Sequence, residues 1–444
     1  MEKHNLPFTL KEFYIENFQG IKSLHIKELP PNANWIFLTG ENGYGKTSIL
    51  RGITIGLNGP KDLNDSDKLL WSKEEITKIE LAINHRNKNN GDTKVRWVYK
   101  DNKVKYSTIP LAAYGPIRIP IDNVSSNNFK SNIKSLFTTE PDLLYPIEED
   151  LKDLYNERLS KEKGAINDYY KIIISDMVNN NFKINLNEIL SKFKDNDLIY
   201  SYISKVNIQL KEEVLKDPID KISDPDDFQN YLNNYSYPDD KFELISKFLV
   251  ELMDNILEIK VDNKNLIFIE KNDPKTPKKS NQLASGNRML LSWVGDMLYR
   301  LGIDRISKPK DVEGIVIIDE LDLHLHPKWQ FRLPKILSKY LPNVQFIAST
   351  HSPLPLIDAP ENSVFLKVNR SIENGITLDR WDNKIEINKL LPNSILTSPL
   401  FDLDNISSTQ THISEISTED EFEEAIYNKV LKRKIQELNK QIND

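Results

Sequence analysis

The run Gly40-Glu41-Asn42-Gly43-Tyr44-Gly45-Lys46-Thr47 matches G-x-x-x-x-G-K-[ST], and few stretches so short constrain a fold as tightly. The pattern has physical meaning only between a strand and a helix. Trp35-Ile36-Phe37-Leu38-Thr39 before it is apolar and β-prone, and Ser48-Ile49-Leu50-Arg51-Gly52-Ile53 after it is suited to open a helix. Such a turn aims several backbone N–H groups at one point, where the helix dipole adds positive potential. Gly40, Asn42, Gly43, Gly45, Lys46, Thr47 and Ser48 are therefore expected to hold a nucleoside triphosphate. Lys46 is expected to reach the β- and γ-phosphates, and the Thr47 hydroxyl to ligand Mg²⁺. The competing reading, a glycine turn matching by chance, has to explain the flanking strand and helix as well.

The rest of the composition narrows the class. At roughly 150 residues per domain, 444 residues suggest two or three domains. A formal net charge of −7 argues against a broadly basic nucleic-acid coat but leaves room for a local basic surface. The absence of cysteine rules out disulfides, thiolate metal sites and cysteine nucleophiles. Met1-Glu2-Lys3-His4-Asn5 lacks the basic-then-apolar pattern of a signal peptide, and no run approaches the ~20 apolar residues of a membrane span. The expectation is a cytoplasmic protein with no membrane partner.

Along the chain, Phe13-Tyr14-Ile15 and Leu24-His25-Ile26 read as strands around a turn at Asn17–Ile21. Ile79–Ile83 and Lys94–Tyr99 read as two more, joined by a polar turn. Ile109–Tyr114 reads as a buried strand running into a loop at Gly115–Arg118. From Asn123 to about Leu257 the chain turns polar, with helical spacing over 164–178 and 240–257 but no sustained heptad. Val261–Ile269 resembles a hairpin returning to the α/β lobe, and Lys271–Lys279 a basic loop. The expected layout is an α/β head in two halves, 1–120 and 258–400, with a helical insertion at 121–257 and a tail at 401–444 ending in a charged helix.

Gly314-Ile315-Val316-Ile317-Ile318-Asp319-Glu320 is an apolar strand ending in two carboxylates, the Walker B pattern. Asp319 is expected to hold Mg²⁺, and Glu320 to orient or deprotonate the attacking water. Val344–Ala348 reads as the next parallel strand and delivers His351 to the same sheet edge, within reach of a γ-phosphate. Asn281–Arg288 is a small-residue turn opening a helix, a candidate second anion-binding site that, taken alone, is better explained as an ordinary capped helix start.

In their order these motifs resemble the ABC-type ATPases of the SMC, RecF and OLD group, and more closely the AAA-family ATPase subunits of antiphage defence systems such as Septu and PARIS. The resemblance rests on Phe13–Ile21, on Asp319-Glu320-Leu321-Asp322-Leu323-His324-Leu325-His326-Pro327-Lys328-Trp329-Gln330, and on Ser349-Thr350-His351-Ser352-Pro353. Ile395–Phe401 looks like the tail of these ATPases. The resemblance implies an ABC-type head, a mixed sheet with a P-loop. It also implies that ATP is sandwiched between two subunits, so that the protein is at least a dimer. Leu283–Arg288, with Ser285 and Gly286, then matches the signature that closes over a second subunit's ATP; Asp322–His326 matches the D-loop and His351 the switch histidine. Two positions depart from the pattern. Ala284 replaces the signature's first serine, and no glutamine follows the strand ending at Tyr114, where Arg118 either acts instead or only forms structure.

Three functions compete. The first is an ATP-hydrolysing sensor or regulatory subunit controlling a separate nuclease or toxin. The second is a self-contained OLD-like nuclease, for which the chain offers only Asp402 and Asp404 as an acidic pair. The third is a DNA-repair or chromosome-associated ATPase, with Lys271, Lys275, Lys278 and Lys279 as phosphate contacts or, more simply, a solvated linker. The first is the preferred expectation.

Overall fold

Phe8–Phe18 (β1) and Ile21–Ile26 (β2) form the antiparallel hairpin expected from the sequence, closing at the pair Phe18–Ile21. The computed structural model describes residues 5–59, 77–85, 93–98, 109–120, 133–138, 141–160, 240–262, 265–302, 308–382, 395, 398 and 400–401. The chain divides into two units, Met1–Asn388 and Lys389–Asp444. In the second, the Ser398 hydroxyl donates to the Ile395 carbonyl at 2.6 Å, a local turn within the expected tail.

On its other side β1 pairs with Lys78–His85 (β4), which pairs in turn with Thr93–Val98 (β5), giving an antiparallel sheet ordered β2-β1-β4-β5. Trp35–Thr39 (β3) leads into helix α1, Lys46–Asn58. α1 lies between this sheet and a larger mixed one. Gly52 and Gly56 face the antiparallel sheet, where added Cβ atoms would meet Ile15 Cδ1 at 2.6 Å and Leu81 Cδ1 at 2.5 Å. Only hydrogen at these two positions lets the helix come so close.

The larger sheet has the order β15-β14-β3-β13-β12-β6. Its members are Leu111–Tyr114 (β6), Gly314–Ile318 (β12), Val344–Ser349 (β13), Val364–Ser371 (β14) and Gly375–Arg380 (β15), with β3 between β14 and β13. All neighbours are parallel except β14 and β15. β3, β12 and β13 are buried at every residue, as expected of parallel strands covered on both faces. Ile36, Leu38, Ile315, Ile317 and Ile347 share one apolar cluster with Ile49, Leu50 and Ile53 of α1. The alternate residues Trp35, Phe37, Phe346 and Phe365 stack on the opposite face, with centroids 4.5 to 5.6 Å apart. There the Trp35 indole N–H reaches Ser338 Oγ at 2.9 Å, on the helix Pro327–Tyr340 that covers this face.

The middle of the chain enters this frame at its edges. Arg118–Pro120 (β7) pairs in parallel with Asp142–Leu144 (β8), and residues 148–160 are helical. Lys241–Leu252 (α2) starts where Asp240 accepts from the Glu243 N–H at 3.2 Å. The helical patch expected over 240–257 stops early, because Ile256–Asp262 (β9) is already a strand. A division of the head at the end of α2 is thus a better proposal than one at 258. The 164–178 patch and the terminal helix lie outside the described residues.

One expectation needs correction, and it concerns the sheet built on the expected hairpin. That hairpin, β9 with Asn265–Glu270 (β10), forms and gains a third strand, order β11-β10-β9. That third strand, Asp273–Lys278 (β11), is the stretch expected to be a loop. It has no apolar residue to show a period. It forms by backbone pairing at an edge, where Pro274 and Pro277 are tolerated.

The close approach of α1 to the antiparallel sheet gives a direct test. Gly56→Val is expected to lower stability by about 1–3 kcal/mol through overpacking against Leu81 and Ile79, measured by urea unfolding.

Candidate nucleotide site

Three neighbouring parallel strands, β3, β13 and β12, end side by side, and the loop after each contributes to one cluster. The loop after β3 bends through Gly40 at φ +127° and Gly45 at φ +104°, conformations that L side chains rarely adopt. Space excludes a side chain there as well. A Cβ on Gly40 would lie 2.5 Å from Val368 O, and one on Gly45 2.2 Å from Ile376 Cδ1. β14 and β15 therefore brace the loop from outside, and Arg370 Nη1 adds a bond to Gly43 O at 2.8 Å.

Lys46, the first residue of α1, is buried. Its ammonium donates to Gly40 O at 2.7 Å and Glu41 O at 2.9 Å, both in its own loop. Burial pulls its pKa down to about 8, against the opposing pull of Asp319, Glu320 and Asp322. Asn42 and Gly43 are exposed, and Ser48 is partly buried in the first turn of α1.

The next residue joins the halves of the chain. Thr47 Oγ1 donates to Asp319 Oδ2 at 2.7 Å, across more than half of the sequence. The other Asp319 oxygen accepts from Ser349 Oγ at 2.6 Å. Ser349 Oγ also accepts from the Glu320 N–H at 2.8 Å, tying the tips of β12 and β13 together. A hydroxyl and a carboxylate side by side are hard oxygen donors. They fit Mg²⁺, which takes one or two protein ligands and fills its octahedron with phosphate and water. Among the described residues, no group of three or more His, Asp or Glu side chains is arranged to hold a metal by itself.

Glu320 follows with φ +52°, a left-handed conformation uncommon for a residue with a side chain. Burial raises the pKa of its carboxyl, Asp319 and Asp322 raise it further, and Arg118 and Lys46 pull the other way. Asp322 Oδ1 accepts from Thr350 Oγ1 at 2.7 Å and from the His351 N–H at 3.1 Å. The loop after β12 thereby holds the loop after β13. Burial, helped by Lys46, keeps the His351 ring below the usual histidine range and thus neutral near pH 7.

Lys46, Thr47, Asp319, Glu320 and His351 are thus brought to one sheet edge. Ser285 and Gly286 stand at the start of another element. They open helix α3, Ser285–Gly302, and no hydrogen bond joins either of them to the Lys46 loop among the described residues. Ser285 is exposed, whereas a Cβ on Gly286 would lie 2.3 Å from Cζ3 of Trp329. The four lysines lie on β11 and its flanks. Lys278 pairs with Glu270 at 2.6 Å, and Lys271 Nζ donates to Asp254 O at 2.6 Å. Ser349 joins the site although its place in the sequence assigns it no role. Its signal was present, a hydroxyl closing a buried strand beside an acid-tipped one.

Fold and site define a P-loop α/β domain whose mixed central sheet carries an acid-tipped strand. The chain belongs to the AAA_21 family, described as "AAA domain, putative AbiEii toxin, Type IV TA system", which it matches over residues 36–358. It is 23% identical over 447 aligned residues to the Retron Ec83 probable ATPase of Escherichia coli, covering 91% of this chain and 81% of that protein. Septu protein PtuA of Bacillus mycoides (strain KBAB4) is 24% identical over 409 residues, 89% of this chain; the chain spans only 45% of that protein's length. Among solved structures, the Smc head domain of Pyrococcus furiosus aligns with TM-score 0.40 at 14% identity, covering 84% of this chain and 96% of that one. Among the described residues, no helix is long and apolar enough to cross a membrane.

Ser349→Ala removes two bonds at once and leaves a buried Asp319 oxygen without its donor. A stability loss of about 1–3 kcal/mol is expected in denaturant unfolding.

Proposed function

We propose that this chain binds and hydrolyses ATP with Mg²⁺, in an assembly of at least two copies, and acts as the regulatory ATPase of an antiphage system with a separate nuclease or toxin effector. The observation that carries the hydrolytic reading is the 2.7 Å contact of Thr47 Oγ1 with Asp319 Oδ2, which puts the phosphate loop's hydroxyl beside the acid of β12. Membership of an AAA family and similarity to a retron ATPase and a Septu protein support the defence setting.

Each residue has a task in this reading. Lys46 leaves the Gly40 and Glu41 carbonyls for the β- and γ-phosphates, and the loop's N–H groups from Asn42 to Ser48 cradle them. Thr47 and Asp319 ligand the metal, which when bound offsets phosphate charge. Glu320 accepts a proton from a water whose oxygen attacks the γ-phosphorus. The bond from that phosphorus to the β–γ bridging oxygen breaks, giving ADP and phosphate. His351, neutral and beside the loop, donates a hydrogen bond to a γ-phosphate oxygen. Ser285, exposed at the start of α3, and the Gly286 backbone of a second copy close the site.

Lys46→Ala is expected to abolish MgATP binding in equilibrium dialysis. Glu320→Gln is expected to bind ATP normally while turnover falls about 10²–10⁴-fold; unchanged turnover would remove Glu320 from its role. For the shared site, mixing inactive Lys46→Ala and Ser285→Arg proteins is expected to restore part of the ATPase activity. Ser285 suits this better than Gly286, where a side chain would strike Trp329. No recovery on mixing would argue for sites complete within one chain. The effector reading is tested by mass spectrometry of what co-purifies with Glu320→Gln held in ATP, where a stoichiometric nuclease or toxin is expected and DNA-repair proteins would displace it.

A further inference from the structure

Arg118 is a buried cation that the proposed reaction does not use. Its Nη2 donates to the carbonyl oxygens of both Asp319 and Glu320, the latter at 2.9 Å, and its Nε donates to Gly115 O at 3.0 Å. The two carbonyls belong to the peptide groups on either side of the Glu320 Cα. Ser349 Oγ holds the Glu320 N–H from the opposite direction. The left-handed turn at Glu320, which sets where its carboxylate points, is thus clamped at both flanking peptides.

The clamp has a rigid backing. The guanidinium lies over the Trp293 ring of α3, 4.8 Å from its centroid. One and two turns further along α3, Asp296 accepts from Tyr114 OH at 2.8 Å and pairs with Arg300 at 2.6 Å. Arg300 reaches Asp142 at 3.5 Å, and Asp142 accepts from the Gly115 N–H at 3.2 Å. Gly115 is the residue whose carbonyl holds Arg118 Nε. A Cβ there would lie 2.3 Å from Ser135 O, so the loop packs against that backbone too closely for any side chain at this position. Burial draws Arg118 down to about 10, with Asp142, Asp319, Tyr114 and Glu320 opposing, so the guanidinium stays charged at neutral pH.

The geometry points to Arg118 as the positioning residue that aims Glu320 for hydrolysis, held in place by one face of α3; this rests on the ATPase reading. Arg118 thereby works on the backbone of the acid-tipped strand. Lysine cannot replace it, because its one nitrogen cannot hold the Asp319 and Glu320 carbonyls, as Nη2 does, and also the Gly115 carbonyl, as Nε does, and it has no planar group to stack on the indole.

The test compares wild type with Arg118→Lys and Arg118→Met in the full chain. Both are expected to bind MgATP within about twofold of wild type while kcat falls about 10–100-fold, lysine retaining more than methionine. Should Arg118→Met fail to fold, Arg118→Lys decides. The readout that a merely structural role would not produce is a double-mutant cycle. If Arg118 acts through Glu320, adding Arg118→Lys to Glu320→Gln costs no further turnover. Wild-type kcat in the single variants, nucleotide affinity falling in step with kcat, or additive losses in the double variant would each overturn the positioning role. Wild-type protein that binds MgATP without hydrolysing it would instead overturn the ATPase reading, and Arg118's role with it.

Discussion

The site depends on one hydrogen-bonded chain, Thr47 to Asp319 to Ser349 to the Glu320 backbone. Its links come from three loops that are far apart in sequence. They meet because β3, β13 and β12 are adjacent parallel strands, whose C-terminal ends lie at one edge of the sheet. Antiparallel pairing would send alternate loops to opposite ends. α1 begins directly after the loop that follows β3, which places its N-terminus, with the N–H groups that have no partner inside the helix, at that edge.

Charge is balanced around this chain before any ligand arrives. Asp319, Glu320 and Asp322 stand near Lys46, Arg51 and Arg118, and burial weakens all three cations against the pull of at least one of these acids. Lys46 rests on carbonyls that a phosphate oxygen outcompetes as an acceptor, since charge-assisted bonds are roughly twice as strong. The loop itself is already held in place, by Arg370 at the Gly43 carbonyl and by Lys46 at the Gly40 and Glu41 carbonyls.

Much of this was legible in residues 35–53 and 314–320, because each motif there carries its own strand, turn or helix signal in adjacent residues. The hairpin of β1 and β2 was legible for the same reason. β11 was not: Asp273–Lys278 contains no hydrophobic period, and only the presence of β10 beside it makes it a strand. The end of α2 was missed because the apolar spacing of residues 253–257 continues past Leu252, where the backbone changes to β9. Arg118 could be noticed but not understood, since its partners are two main-chain carbonyls, and a backbone oxygen carries no residue signature.

Sequence alone determined that the chain holds a phosphate loop, an acid-tipped strand and a histidine after the next strand. These signals are local and rest on the chemistry of neighbouring residues. Tertiary structure decided which hydroxyl touches which carboxylate and that Gly286 faces Trp329. It also decided that a buried arginine, backed by α3, clamps the peptides around Glu320. Those facts depend on strand order and on distances of closest approach, which belong to the packed chain and to no single stretch of it.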